Sequence, residues 1–248
     1  NDEKMTINRR DFIKSSSVLA AGMAVPGFAK ASIGRVSAND TINVALIGCR
    51  RGWSDLLKFF SHKEVRCVAL CDVKQDVLAQ RSANIAASYG KKPDLYTDYR
   101  RVLDRKDIDV VIIGTPDHWH CLQFADACKA GKDIYIEKPI ANSIAECEAM
   151  VDVAHNDVII QVGQQQRSDK LWIETIDYVR SGKLGRIGRV HAWATFNYGA
   201  MAPPVPDSPA PETLDYDMWL GPAPALPFNE RRFRWRMFWD YGGGLMTD

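Results

Sequence analysis

Short apolar runs of Val, Ile, Leu and Ala recur at 42–47, 65–71, 109–113, 133–137 and 158–162, each followed by a stretch with helical spacing. This alternation constrains the fold more than any other feature of the chain. Runs this short and this continuously apolar suit strands buried on both faces. Between them, Cys121, Phe124, Ala125 and Cys128 fall at i, i+3, i+4 and i+7, and Ile144, Cys147, Val151 and Ala154 keep a similar stripe. Ser143 and Glu146 stand three apart where the second stripe begins, a capping-box pattern. Strand and helix alternating over about 120 residues predict an α/β fold, a doubly wound parallel sheet covering 41–162.

The character changes after 162. A helix is predicted from Ser168, with Trp172, Ile176 and Val179 on one face, ending near Gly182. From 190 to 198, Val190, Ala192, Ala194, Phe196 and Tyr198 alternate with His191, Trp193, Thr195 and Asn197, which predicts a long half-buried strand. A Pro-rich loop over 199–213 leads to a short helix at 215–222 stopped by Gly221-Pro222, and Arg and Trp crowd 231–239. One strand cannot make a stable sheet alone. Residues 163–248 are therefore expected to begin a second domain, and the chain to be the N-terminal part of a longer protein.

The first residues are set aside from the fold. Arg9-Arg10, the weakly apolar stretch from Val18 to Phe28 and the small-x-small pattern Ala29-Lys30-Ala31 look like a twin-arginine export signal over 1–31, with a polar linker over 32–40. The alternative is a basic amphipathic start. Export by this route implies a periplasmic protein, folded with any cofactor already bound and holding it tightly. No apolar run reaches the roughly 18 residues needed to span a bilayer. The net charge of +1 gives no electrostatic case for a nucleic-acid partner. The six cysteines show no CxxC pair and no Cys/His ligand spacing, so they are expected to be buried thiols rather than metal ligands.

The polar residues that follow the apolar runs carry the chemistry. Ligands of open α/β sheets bind at the carboxyl ends of the strands. After the first run stands Gly48-Cys49-Arg50-Arg51-Gly52, a contracted form of the G-x-G-x-x-G phosphate loop. Arg50 replaces the middle glycine and the last glycine comes one residue early; arginine can compensate by pairing with phosphate oxygens. Asp72 ends the second run, where an acid accepts ribose hydroxyls and disfavours a 2′-phosphate, or caps the next helix. After the third run comes Thr115-Pro116-Asp117-His118-Trp119-His120, and after the fourth Glu137-Lys138-Pro139. Lys138, held by strand geometry, is a candidate proton-transfer group. His118 and His120 could pair on a metal, but no third ligand is evident. Trp235 and Arg236 could stack a sugar ring or bind a cofactor phosphate, or simply form a packed aromatic edge.

Together these three motifs resemble the Gfo/Idh/MocA family of nicotinamide-dependent oxidoreductases, from about residue 41 to the last residue. The resemblance implies a Rossmann domain followed by an α+β domain with a large open antiparallel sheet. It also implies a homo-oligomer when full length. It gives Lys138 the role of hydrogen-bonding the reacting hydroxyl or carbonyl. Gly48, Cys49, Arg50, Gly52, Asp72, Thr115, Pro116, Trp119, His120 and Glu137 are expected around the dinucleotide, with Trp119 and His120 on the nicotinamide-ribose side. Gln164 or Gln166 is expected near the nicotinamide amide. Arg167, His191, Trp235 and Arg236 are expected toward substrate. The implied activity is hydride transfer between a carbohydrate or polyol hydroxyl and NAD, with NADP less favoured because of Asp72. The chain also resembles NAD-dependent N-acetylgalactosaminidases, which share the fold, the export signal and a Trp-His turn; a redox-neutral glycoside cleavage is therefore the alternative. Lys138 weighs against it. A non-catalytic sugar- or nucleotide-binding protein is the third reading, supported only by the contracted glycine loop.

Overall fold

The computed structural model describes residues 41–155, 157–193 and 204–244. Its centre is a six-stranded parallel sheet. The strands are β1 (Ile42–Ile47), β2 (Val65–Cys71), β3 (Asp94–Tyr96), β4 (Val110–Ile113), β5 (Asp133–Glu137) and β6 (Ile160–Gly163). Their spatial order is β3-β2-β1-β4-β5-β6, so the chain reverses direction across the sheet between β1 and β4. That reversal opens a crevice at the carboxyl ends of these two strands.

Alternation along each strand sorts the core into two layers. Val44, Leu46, Leu70, Ile112 and Tyr135 face α1 (Trp53–Phe59) and α2 (Gln75–Tyr89) through Leu56, Phe59, Leu78 and Ile85. Ala45, Ile47, Val111, Ile113, Ile134 and Ile136 face the other way, onto α3 (Tyr99–Leu103), α4 (His120–Lys129) and α5 (Ile144–Val153). The capping box at α5 forms with a shift of one residue. Ser143 Oγ accepts from the Glu146 amide, and the Glu146 carboxylate accepts from the Asn142 amide at 2.6 Å.

The structure adds one strand to those expected. β3 has only three residues, lies at the sheet edge and leaves Leu95 46% exposed, so no apolar run announces it. The helix expected from Ser168 is α6 (Lys170–Arg180), capped by Asp169, whose side chain accepts from the Leu171 amide at 2.9 Å. Its apolar residues stay exposed, Trp172 at 50% and Ile176 at 42%. The strand expected at 190–198 is corrected where it is described: residues 190–193 form none, with Val190 and Trp193 about four-fifths exposed. Its remainder lies outside the described residues, as do the expected signal, the linker and the first part of the 199–213 loop. Among the described residues after Gly163 no strand forms. All six cysteines are free; Cys49, Cys71 and Cys128 are buried and Cys67, Cys121 and Cys147 half-buried.

Candidate active site

The turn after β1 is built on close backbone approach. Gly48 has φ +88°, and a Cβ there would fall 2.6 Å from the Gly114 carbonyl carbon after β4. A Cβ on Gly114 would in turn meet Gly52 Cα at 2.5 Å. Three glycines thus lock the ends of β1 and β4 together, and the shortened loop closes onto Gly114. Asp72 stitches the same loop to β2: one carboxylate oxygen accepts from the Cys49 amide at 2.7 Å and the other from the Lys74 amide at 2.9 Å. Burial raises the Asp72 pKa, against the opposing pull of these two amides and of Arg50. Each oxygen retains a lone pair for a further donor.

A cavity of about 570 Å³ opens above these turns. Of the residues expected around a dinucleotide, Gly48, Arg50, Asp72, Thr115, Pro116, Trp119, Glu137 and Lys138 line it, and Cys49 and Gly52 do not. Arg51, Lys74, Gln80 and Arg81 line it too and were missed. Arg81 sits over the Trp53 ring at 4.6 Å and donates to the Cys49 carbonyl, a long-range contact no local pattern reveals.

His120 is placed differently from the expectation. It is 1% exposed and does not line the cavity; its Nδ1 lies 2.7 Å from the Pro139 carbonyl and its Nε2 2.9 Å from the Thr115 carbonyl. Burial pushes its pKa down to about 4, so the ring is neutral and donates to one carbonyl at a time. It ties the turn after β4 to the turn after β5, where Lys138-Pro139 is cis. Thr115 and Gln123 are joined at 2.9 Å.

The far wall comes from residues 204–244. Thr213 to Asp215 run antiparallel to the start of α2: Gln75 donates to the Thr213 carbonyl and Asp215 to the Val73 carbonyl, both at 2.9 Å. The short helix α7 (Tyr216–Leu220) follows, capped by Asp215 and stopped at Gly221, as its sequence predicts. Trp219 is packed between Tyr216 and Phe233, with ring centroids 5.7 and 4.9 Å away. Its carbonyl accepts from Trp119 Nε1 at 3.1 Å and meets His118 Nε2 at 3.0 Å. Trp235 and Arg236 complete the wall, the guanidinium 4.1 Å from the indole centre. By contrast, Gln166 and Arg167 are exposed on a single turn of 3₁₀ helix, His191 is exposed, and none of the three lines the cavity. Among the described residues no group of three His, Cys, Asp or Glu could hold a metal ion.

The oxidoreductase family model for the NAD-binding Rossmann fold matches residues 42–164, and the model for its C-terminal alpha/beta domain matches 186–248. The chain belongs to the Gfo/Idh/MocA family. Among relatives of this Gfo/Idh/MocA protein, a glycosyl hydrolase family 109 protein of Shewanella sp. (strain W3-18-1) is 30% identical over 195 residues. An alpha-N-acetylgalactosaminidase of Shewanella oneidensis is 29% identical over the same length. Each alignment covers 70% of this chain and 40% of the relative, so the chain spans well under half the length of these relatives. Among solved structures, myo-inositol 2-dehydrogenase from Lactobacillus plantarum superposes with a TM-score of 0.51 at 26% identity, over 59% of this chain and 43% of that one. Scyllo-inositol dehydrogenase from Lactobacillus casei, with bound NAD(H) and scyllo-inositol, gives 0.50 at 26%, over 58% and 42%.

Proposed function

We propose that this protein transfers hydride between a secondary hydroxyl of a carbohydrate or polyol and a tightly held NAD. The observation that carries the reading is that Lys138, the glycine-locked turn and the Trp235–Arg236 wall open into one cavity. The cradle suits a dinucleotide: the bare backbone of Gly48 and Gly114 lines it beside Arg50 and Asp72. NAD, when bound, supplies the hydride acceptor. The remaining work falls to the chain. Lys138 hydrogen-bonds the reacting hydroxyl and takes its proton as the C–H bond is lost. Arg50 offers charge to the pyrophosphate. The free lone pairs of Asp72 accept from ribose hydroxyls, and its negative charge opposes a 2′-phosphate, which favours NAD over NADP. Trp235 offers a face to a sugar ring. In the same reading, 41–162 form the nucleotide half and 163–248 begin the substrate half. Residues 1–31 direct export to the periplasm.

A second reading is redox-neutral glycoside cleavage, in which a sugar carbon is oxidised, the aglycone eliminated and the carbon reduced again. The glycosidases among the relatives favour it. Mass spectrometry of the nucleotide released on denaturing the purified protein tests both, followed by separate incubation with a polyol plus NAD and with an aryl N-acetylgalactosaminide. Reduced nicotinamide accumulating with the polyol supports the dehydrogenase. Aglycone release without net reduction supports the glycosidase. Protein that carries no nucleotide and takes none up is a binding protein, and both readings fail.

A further inference from the structure

One buried acid in the nucleotide half has no part in the reading above. Asp55 on α1 is 0% exposed. Its Oδ1 lies 3.2 Å from Lys58 Nζ, while Oδ2, equally inaccessible, has no conventional hydrogen-bond partner. The register of β5 against α1 explains what this oxygen faces. Side chains alternate on a strand and recur every turn on a helix. Tyr135 and Glu137 therefore share the face of β5 turned to α1, where Asp55 and Phe59 stand one turn apart. The Phe59 and Tyr135 rings meet edge to face at 5.7 Å. On this same face Glu137, itself 4% exposed, stands near enough for the charge of the Asp55 carboxyl to act on it. Gly163, paired with Glu137 on β6, makes the room: a Cβ there would lie 2.8 Å from Tyr135 Oη and 3.4 Å from Glu137 Oε1.

Two ionised carboxylates have only acceptors to offer each other, and both of these side chains are almost wholly withdrawn from solvent. The cations facing the pair come from its rim. Arg51 Nη2, from the glycine turn, lies 3.3 Å from Glu137 Oε1, and Lys58, from α1, meets only Asp55. Both side chains are over two-fifths exposed, so solvent screens their charge. Lys138 acts on Glu137 from the next position, Tyr135 is the other titratable neighbour, and β6 contributes only Gly163. We infer that Asp55 and Glu137 share one proton at neutral pH, as a buried acid pair with a single negative charge, and that Asp55 thereby positions Glu137 and the Lys138 turn. Burial, then the charge of Asp55, moves the Glu137 pKa in the direction this requires, upward.

The sign of the pH effect follows. Glu137 ionises at a higher pH folded than unfolded, where its ordinary value is 4.5. Its contribution to stability is complete below that value and lost as pH rises through the folded pKa. Asp55→Asn replaces the shared proton with an amide N–H, keeps the shape and lets Glu137 ionise freely. Melting of the protein and of Asp55→Asn between about pH 5 and pH 8 is the test, with Glu137→Gln as the reciprocal variant. The Asp55→Asn midpoint should rise relative to the parent by about 3 °C per unit of pKa difference removed. Infrared spectra of the unaltered protein at neutral pH should show a protonated carboxyl stretch that both variants lose. Parallel pH profiles, or the absence of that band from the unaltered protein, overturn the inference. The infrared measurement needs no variant to fold, and neither readout needs a substrate.

Discussion

Replacing Gly221 with alanine tests how the 204–244 segment is seated on the sheet. Gly221 has φ +51° and ψ −120°, a conformation that residues with a Cβ avoid. A Cβ there would meet Trp119 Cζ2 at 2.1 Å and Cε2 at 2.3 Å. The indole cannot swing aside cheaply. Its Nε1 is bonded to the Trp219 carbonyl, its edge rests on Tyr99 with centroids 5.6 Å apart, and it is 8% exposed. Overpacking of this kind costs about 1–3 kcal/mol. The backbone conformation adds about 1–2 kcal/mol for an L-residue. The sum is roughly 2–5 kcal/mol, which lowers the melting midpoint of a chain this size by roughly 5–15 °C.

The control is Gly90→Ala. Gly90 also has positive φ, +75°, but a Cβ there meets nothing within 4 Å. The difference between the two variants therefore reports the Trp119 clash together with the extra backbone cost of Gly221, whose ψ of −120° lies outside the left-handed helical region that Gly90 occupies. Near-ultraviolet circular dichroism is the assay, because displacement of Trp119 changes the aromatic signal as well as the midpoint. If Gly221→Ala melts within about 2 °C of Gly90→Ala, with an unchanged aromatic spectrum, the seating of α7 against Trp119 is wrong.

Three further outcomes are expected. Lys138→Ala should change stability by about 1 kcal/mol or less, because the side chain opens into the cavity, yet lower turnover by roughly two to four orders of magnitude with nucleotide binding retained; near-native turnover would make the motif structural. Asp72→Asn should weaken NADH binding roughly tenfold and narrow the preference over NADPH, read by fluorescence titration, and tighter NADPH binding by the unaltered protein would refute the ribose role. Arg9→Lys combined with Arg10→Lys should hold the precursor in the cytoplasm, with Ser32 the mature N-terminus when the pair is intact; cell fractionation and N-terminal sequencing check both.

The nucleotide half was legible because its strands are buried on both faces and therefore apolar throughout. β3 escaped for the opposite reason: an edge strand with Asp94 and a half-exposed Leu95 is held by pairing to β2 and by Arg105 at 2.7 Å from Asp94, not by burial. The place of His120 on the nicotinamide-ribose side rests on the family resemblance and not on a local pattern. The helix begins at His120 itself, and that turn sends the ring inward to Pro139. The wall made by 204–244 was only half legible. Trp235 and Arg236 stood out by composition, but the return of Thr213 to the start of α2 is a pairing across more than a hundred residues. Asp55 left one usable trace, an acid beside Leu56 and four before Phe59 on the buried stripe of a short helix.

These placements bear on the weakest feature of the sequence, the contracted glycine loop. A missing residue there would loosen the crevice if the loop alone shaped it. It does not. Gly52 closes the shortened turn against Gly114, and Asp72 pins Cys49 from the side. The Lys138 turn is held by His120 through the Pro139 carbonyl on one face of the sheet and by the Arg51–Glu137 ion pair on the other. Arg51 belongs to the glycine loop, next to the Arg50 that replaces the middle glycine, and its guanidinium meets the Glu137 carboxylate at the strand end that precedes the lysine. The contracted loop is thus tied by the Arg51–Glu137 ion pair to the strand end that precedes Lys138, and the crevice keeps its shape without the missing residue.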